Sequence, residues 1–90
     1  MTDVRQGVTP TQHEVLDLIE ERATTWSTIW DFEERLNHGA GRALMAKDRT
    51  NLIAKRQNAI IAAALLIDAA DEIARLIAAS APGGEIDARP

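Results

Sequence analysis

Arg42, Lys47, Arg49, Lys55 and Arg56 fall within residues 42–56, where Asp48 is the only acid, while the rest of the chain carries five cations against thirteen acids. The formal net charge of −4 therefore averages a basic stretch with acidic flanks. Arg42, Arg49 and Arg56 are spaced seven apart. On one continuous helix they line one side, and such a row of guanidinium groups grips phosphate or carboxylate in a forked geometry. Helix-end amides close by favour the same anions. Trp26 and Trp30 are the two tryptophans of the chain, and an indole face can stack a base beside those cations. The competing reading makes the tryptophans core anchors and the arginines a solvated face. Trp26, Trp30, Arg42, Arg49, Lys55 and Arg56 are thus the candidate ligand-binding set. The basic stretch is short and the pI is about 5.0, a poor electrostatic footprint for duplex DNA. A small anionic, nucleotide-like ligand or a protein partner suits it better.

The acids suggest a second chemistry. In a two-armed hairpin bent between Asn37 and Arg49, Asp17 and Glu20 fall level with Asp68 and Asp71, Trp26 falls opposite Ile61 and Trp30 opposite Gln57. Carboxylates spaced i, i+3 on neighbouring helices suit Mg²⁺, a hard cation that takes oxygen ligands and keeps waters for substrate phosphates. Glu20-Glu21 in the first arm and Asp68-Ala69-Ala70-Asp71 in the second resemble the motifs of the MazG-type all-α nucleotide pyrophosphohydrolases. Thr24 stands where that family has a third acid, and Asp68 where its second motif begins with glutamate. The resemblance implies Mg²⁺ held by Glu20, Glu21, Asp68 and Asp71 and pyrophosphate release from nucleoside triphosphates. The bland alternative pairs Asp71 with Arg75 at i, i+4 and leaves Glu14, Asp17 and Glu21 as a solvated face.

Other chemistries have little apparatus. His13 and His38 have no ligand-spaced partner, cysteine is absent, and Ser27 and Ser80 are the only serines. Covalent catalysis and thiolate metal sites are therefore not expected, and outside the Mg²⁺ reading no cofactor is implied. Residues 1–9 hold no apolar run, and the apolar stretch at residues 59–67 is far shorter than the roughly 20 residues of a membrane helix. A cytoplasmic protein without a membrane partner is expected.

The elements that must position these residues are helical. Alanine, leucine and isoleucine dominate the apolar set, and glycine and proline cluster in the tails and one central break. Thr9-Pro10-Thr11-Gln12 reads as a capping box with proline in the first turn. The apolar spacing from Val15 to Leu36 continues one helix over about residues 10–37. Asn37-His38-Gly39-Ala40-Gly41 reads as the break, with Gly39 as a left-handed cap, and residues 38–48 as the bend, where residues 42–47 either form a short helix or join the next. Asp48 caps a second helix over about residues 49–79. The expected fold is all-α, an antiparallel helical hairpin in one domain over residues 9–80, with a flexible tail at 1–8 and a disordered tail at 81–90.

On the second arm apolar residues cover about half of the helix circumference, wider than the roughly 100° that one neighbour needs. That excess predicts a homo-oligomer, most simply a dimeric four-helix bundle; a fold-back of residues 42–47 is the alternative cover. The pattern of a Thr-Pro helix start, a bend and an Ala-rich second arm is similar in outline to small acidic helical proteins of phages and mobile elements. Those include inhibitors of host defence and cyclic-nucleotide sponges. The expectation is a non-enzymatic, homo-oligomeric binding module that engages a protein partner or sequesters an anionic ligand. The alternatives are the MazG-like enzyme and a purely structural dimerisation or antitoxin-like module.

Overall fold

The computed structural model describes residues 7–80, so the tails expected at 1–8 and 81–90 lie outside it except for Gly7 and Val8. It is all-helical, with three helices: α1 (Pro10–Ile29), α2 (Phe32–Asp48) and α3 (Leu52–Ser80). The start of α1 follows the capping box. The Gln12 amide donates to Thr9 Oγ1 at 3.1 Å and the Thr9 amide to Gln12 Oε1 at 2.7 Å. Both otherwise orphan donors at the helix start are thereby satisfied.

The single helix expected over residues 10–37 is divided at Trp30 and Asp31, both of which are extended. Two local causes act together. Ser27 and Thr28 turn their hydroxyls back onto the Thr24 carbonyl at 3.1 and 2.8 Å, which competes with a regular helix in a stretch already rich in β-branched residues. Asp31 then offers a new start: its carboxylate accepts from the Glu34 amide at 2.8 Å, and Glu33 and Glu34 place negative charge in the first turn.

The expected bend at residues 38–48 is also corrected, because these residues are helical and belong to α2. Gly39 is not a cap. It is buried, and a Cβ there would lie 2.8 Å from Leu66 Cδ2, so its missing side chain lets α2 approach α3. Gly41, in contrast, has nothing within 4 Å of a built Cβ. Gly41→Ala is expected to stabilise the domain by about 0.5–1 kcal/mol through helix propensity. Gly39→Ala should gain less or lose, because Leu66 must shift; urea midpoints of the two variants measure the difference.

The real turn between long helices is at residues 49–51. Asp48 ends α2 instead of capping α3, and Arg49 is the extended C-cap, its amide bonded to the Met45 carbonyl at 3.1 Å. Asn51 Oδ1 accepts from the amides of Ile53 and Ala54 at 2.8 and 3.1 Å, the capping work assigned above to Asp48.

Partners fix the topology. Arg35 meets Asp68, Gly39 meets Leu66, and Arg42 meets Asn58, so α2 and α3 are antiparallel. Arg56, early in α3, meets Thr11 and Glu14 at the start of α1, whereas Ser27, late in α1, shares a cleft with Asp68 and Asp71. Helices α1 and α3 therefore run in the same general sense. The antiparallel hairpin is α2–α3, with α1 laid along α3 as a third element.

The core joins Val15 and Trp26 of α1 to Ile60, Ala64 and Leu65 of α3, with Leu18, Ile19, Trp30 and Ile61 packed against them. Within it lies a charged clamp. The Arg35 side chain is 1% exposed; its Nη1 donates to Asp68 Oδ2 at 2.9 Å, its Nη2 to Glu72 Oε1, and its Nε to the Asp31 carbonyl at 3.3 Å. Burial pushes the guanidinium pKa down, but the hydrogen bonds and charges of Glu72 and Asp68 outweigh it and the net shift is upward. Among the described residues no buried side-chain nitrogen or oxygen lacks a partner, as a closed core requires.

Candidate functional site

A cleft of about 230 Å³ opens where α1, α2 and α3 converge, lined by Leu18, Arg22, Trp26, Trp30, His38, Arg42, Ile61 and Leu65. Leu18, Arg22, Trp26 and Trp30 are four apart in sequence, so they form one stripe along α1 that runs onto its C-cap. The chain break after Trp30 lets α2 turn back, and its first two turns deliver His38 over the indole: the Trp30 and His38 rings stack with centroids 3.9 Å apart at 19°. The His38 Nε2 lies 3.8 Å from Glu34 Oε1 on the same helix.

Arg42 comes one turn later and is held from α3. Its Nη1 donates to Asn58 Oδ1 at 3.0 Å, and Asn58 Nδ2 in turn donates to the Ala54 carbonyl at 2.9 Å. Asn58 is buried, so this chain of bonds fixes one edge of the guanidinium and leaves its other donors for an outside acceptor. Arg22 is exposed on α1. The cleft thus combines aromatic walls, an aliphatic floor and two forked cations. Among the described residues no carboxylate lines it.

Of the six residues expected to bind a ligand, Trp26, Trp30 and Arg42 are brought together here; Trp26 also meets Ile61, but not through the antiparallel register that set them opposite, and Gln57 lines a different cleft from Trp30. Arg49, Lys55 and Arg56 are not. The seven-residue arginine row fails because its members sit on different elements: Arg42 in α2, Arg49 on the cap and Arg56 in α3. Lys55 closes the end of α2, donating to the carbonyls of Ala46 and Lys47 at 3.3 and 3.1 Å, where a cation complements the helix dipole. Arg56 grips Glu14 with contacts of 3.1 and 2.6 Å. That hydrogen bond draws the Glu14 carboxyl below its ordinary value and raises Arg56. Arg22 and His38 belong to the cleft and lie outside the expected set of six; the spacing of four from Arg22 to Trp26 and on to Trp30 is the signal that points to the first.

The acidic set does not assemble. Asp68, bound to Arg35, and Asp71 line a cleft with Ile19, Thr24 and Ser27, and Glu21 lines another with Asp17 and Gln57. Glu20 is exposed on α1. The register that set Asp17 and Glu20 level with Asp68 and Asp71 requires antiparallel arms, and α1 runs the other way along α3. Among the described residues no three histidine or carboxylate side chains gather as metal ligands, and no helix is long and apolar enough to cross a membrane.

Comparison with protein families, curated proteins and solved structures finds no match.

Proposed function

We propose that the chain is a non-enzymatic, self-associating binding module whose three-helix cleft takes a small planar anion of the mononucleotide class. The observation that carries this reading is the convergence of Trp26, Trp30 and His38 with Arg22 and Arg42 on one cleft. Stacking on an aromatic face accepts any base and is worth about 1–3 kcal/mol per base, and the guanidinium fork supplies the anion contact. Size sets the class. At about 230 Å³ the cleft is below the roughly 300–1,000 Å³ of drug-sized sites, room for one ring system with its phosphate toward solvent and too little for a dinucleotide.

Calorimetric titration with 5′-mononucleotides tests it. Binding is expected, and Arg22→Ala and Trp30→Ala should each weaken it at least about fivefold to tenfold, the lower part of the stacking range, Arg22→Ala with little change in thermal melting because Arg22 is exposed. No heat with any mononucleotide removes the ligand reading and leaves a protein partner as the target.

A further inference from the structure

Ala59, Ala63, Leu66, Ala70, Ile73 and Ile77 alternate at spacings of four and three, the repeat of a coiled-coil seam. This seam runs between the two flanks of α3 already in use and shares its edges with them, since Leu66 meets Gly39 of α2 and Ala63 packs against the core from the α1 side. Helix α2 covers the side of Asn58, Ala62 and Asp68, and α1 the side of Ile60 and Ala64. Between them Ala59 and Ala70 are exposed, and Leu66 and Ile77 remain 37% and 48% open. Beside the seam a groove of about 400 Å³ has Val15, Leu16 and Ile67 in its walls and, among the described residues, no charged lining.

We infer that this face of α3 is the interface with a second copy of the chain, the two α3 helices packing antiparallel about a two-fold axis at the level of residue 68. The inference rests on the reading that the chain self-associates and adds where and in what register; it is independent of the ligand cleft. The sizes along the seam select the partner. In that register Ile77 faces Ala59, Ile73 faces Ala63 and Leu66 faces Ala70, so each large side chain meets an alanine of the other copy. A surface that is its own complement under reversal is what a two-fold interface requires.

The length of the seam agrees. Pairing over residues 59–77 spans about 28 Å, and with the α1 flank it covers on the order of 600 Å² per copy, the lower end of specific interfaces. Alanine-lined contacts permit the short interaxial distances, about 8 Å, seen where small side chains meet.

The chain has no cysteine, so the register can be read by oxidative cross-linking of full-length single-cysteine variants. Ala63→Cys mixed with Ile73→Cys should form a disulfide at least about tenfold faster than either variant alone, because only facing positions meet the Cα separation of about 4.4–6.8 Å. Sedimentation at about 50 µM, above the micromolar range of transient complexes, should give twice 9.8 kDa for the wild type and the single mass for Ala70→Glu, with unchanged helical circular dichroism. A monomeric wild type overturns the interface, and Ala63→Cys linking to itself as fast as to Ile73→Cys overturns the antiparallel register. Loss of mononucleotide binding alone bears on the cleft and leaves this interface standing.

Discussion

Arg35→Met is expected to cost the domain about 3–5 kcal/mol, the range for removing one partner of a buried ion pair. A 90-residue domain has about 5–13 kcal/mol in total at the usual stability per residue, so urea unfolding should begin at or near zero denaturant. The loss is not that of the attraction alone. Asp68 is 6% exposed, and without the guanidinium its carboxylate stays buried with no opposite charge. The clamp also fixes direction, since Arg35 holds the Asp31 carbonyl at the α2 start as well as two acids on α3. A triple variant, Arg35→Met with Asp68→Leu and Glu72→Met, should recover to within about 1 kcal/mol of wild type, because apolar groups of similar volume often replace buried ionic groups without loss. A single variant costing under about 1 kcal/mol would place the clamp with surface pairs.

Trp26→Ala is the second large effect, about 3–5 kcal/mol, the usual range for emptying a buried aromatic position. Trp26 is 7% exposed and touches the core built by Val15, Ile60, Ala64 and Leu65. A large part of the large-side-chain volume in this alanine-rich interior is one indole, and the surrounding helices cannot collapse onto the gap while the Arg35 clamp and Gly39 contact hold α2 to α3. Trp30→Ala should cost clearly less, since Trp30 is only half-buried and stacks on the exposed ring of His38. Denaturant midpoints of the two variants separate an anchor from a cleft wall; equal losses would mean that Trp30 also belongs to the core. The two readings of the tryptophans offered by the sequence thus divide between them, one for each residue.

The helical class, the capped start at Thr9 and the overly wide apolar arc of α3 were legible because each depends on neighbours within a turn or two. The break at Trp30 and Asp31 was less so. Asp31 and Glu34 have the spacing of an N-cap box, but Ile29, Trp30 and Leu36 continue the apolar period straight across it, and periodicity was the stronger signal. Gly39 misled for the opposite reason: a glycine two residues from another glycine looks like punctuation, and only contact with Leu66, 27 positions away, makes it a helix-packing residue. That displaced break carried the site with it. With α2 starting seven residues earlier than a cap at Gly39 would allow, His38 and Arg42 reach the tryptophans while Arg49 and Arg56 are left on separate elements. The Arg35 clamp had no local sign at all, its acids being 33 and 37 residues distant.

The order of the helices bears on the order in which the chain is made. Synthesis runs from α1 to α3, and α1 packs chiefly on α3, so α1 is complete well before its partner surface exists. The α2–α3 pair closes over a three-residue turn, a short loop with little closure entropy to overcome, and can form as soon as α3 is available. Until then α1 is a solitary 20-residue helix, near the length at which helices in water are marginal. The Thr9–Gln12 capping box, a modest contributor in the finished domain, matters most during that interval.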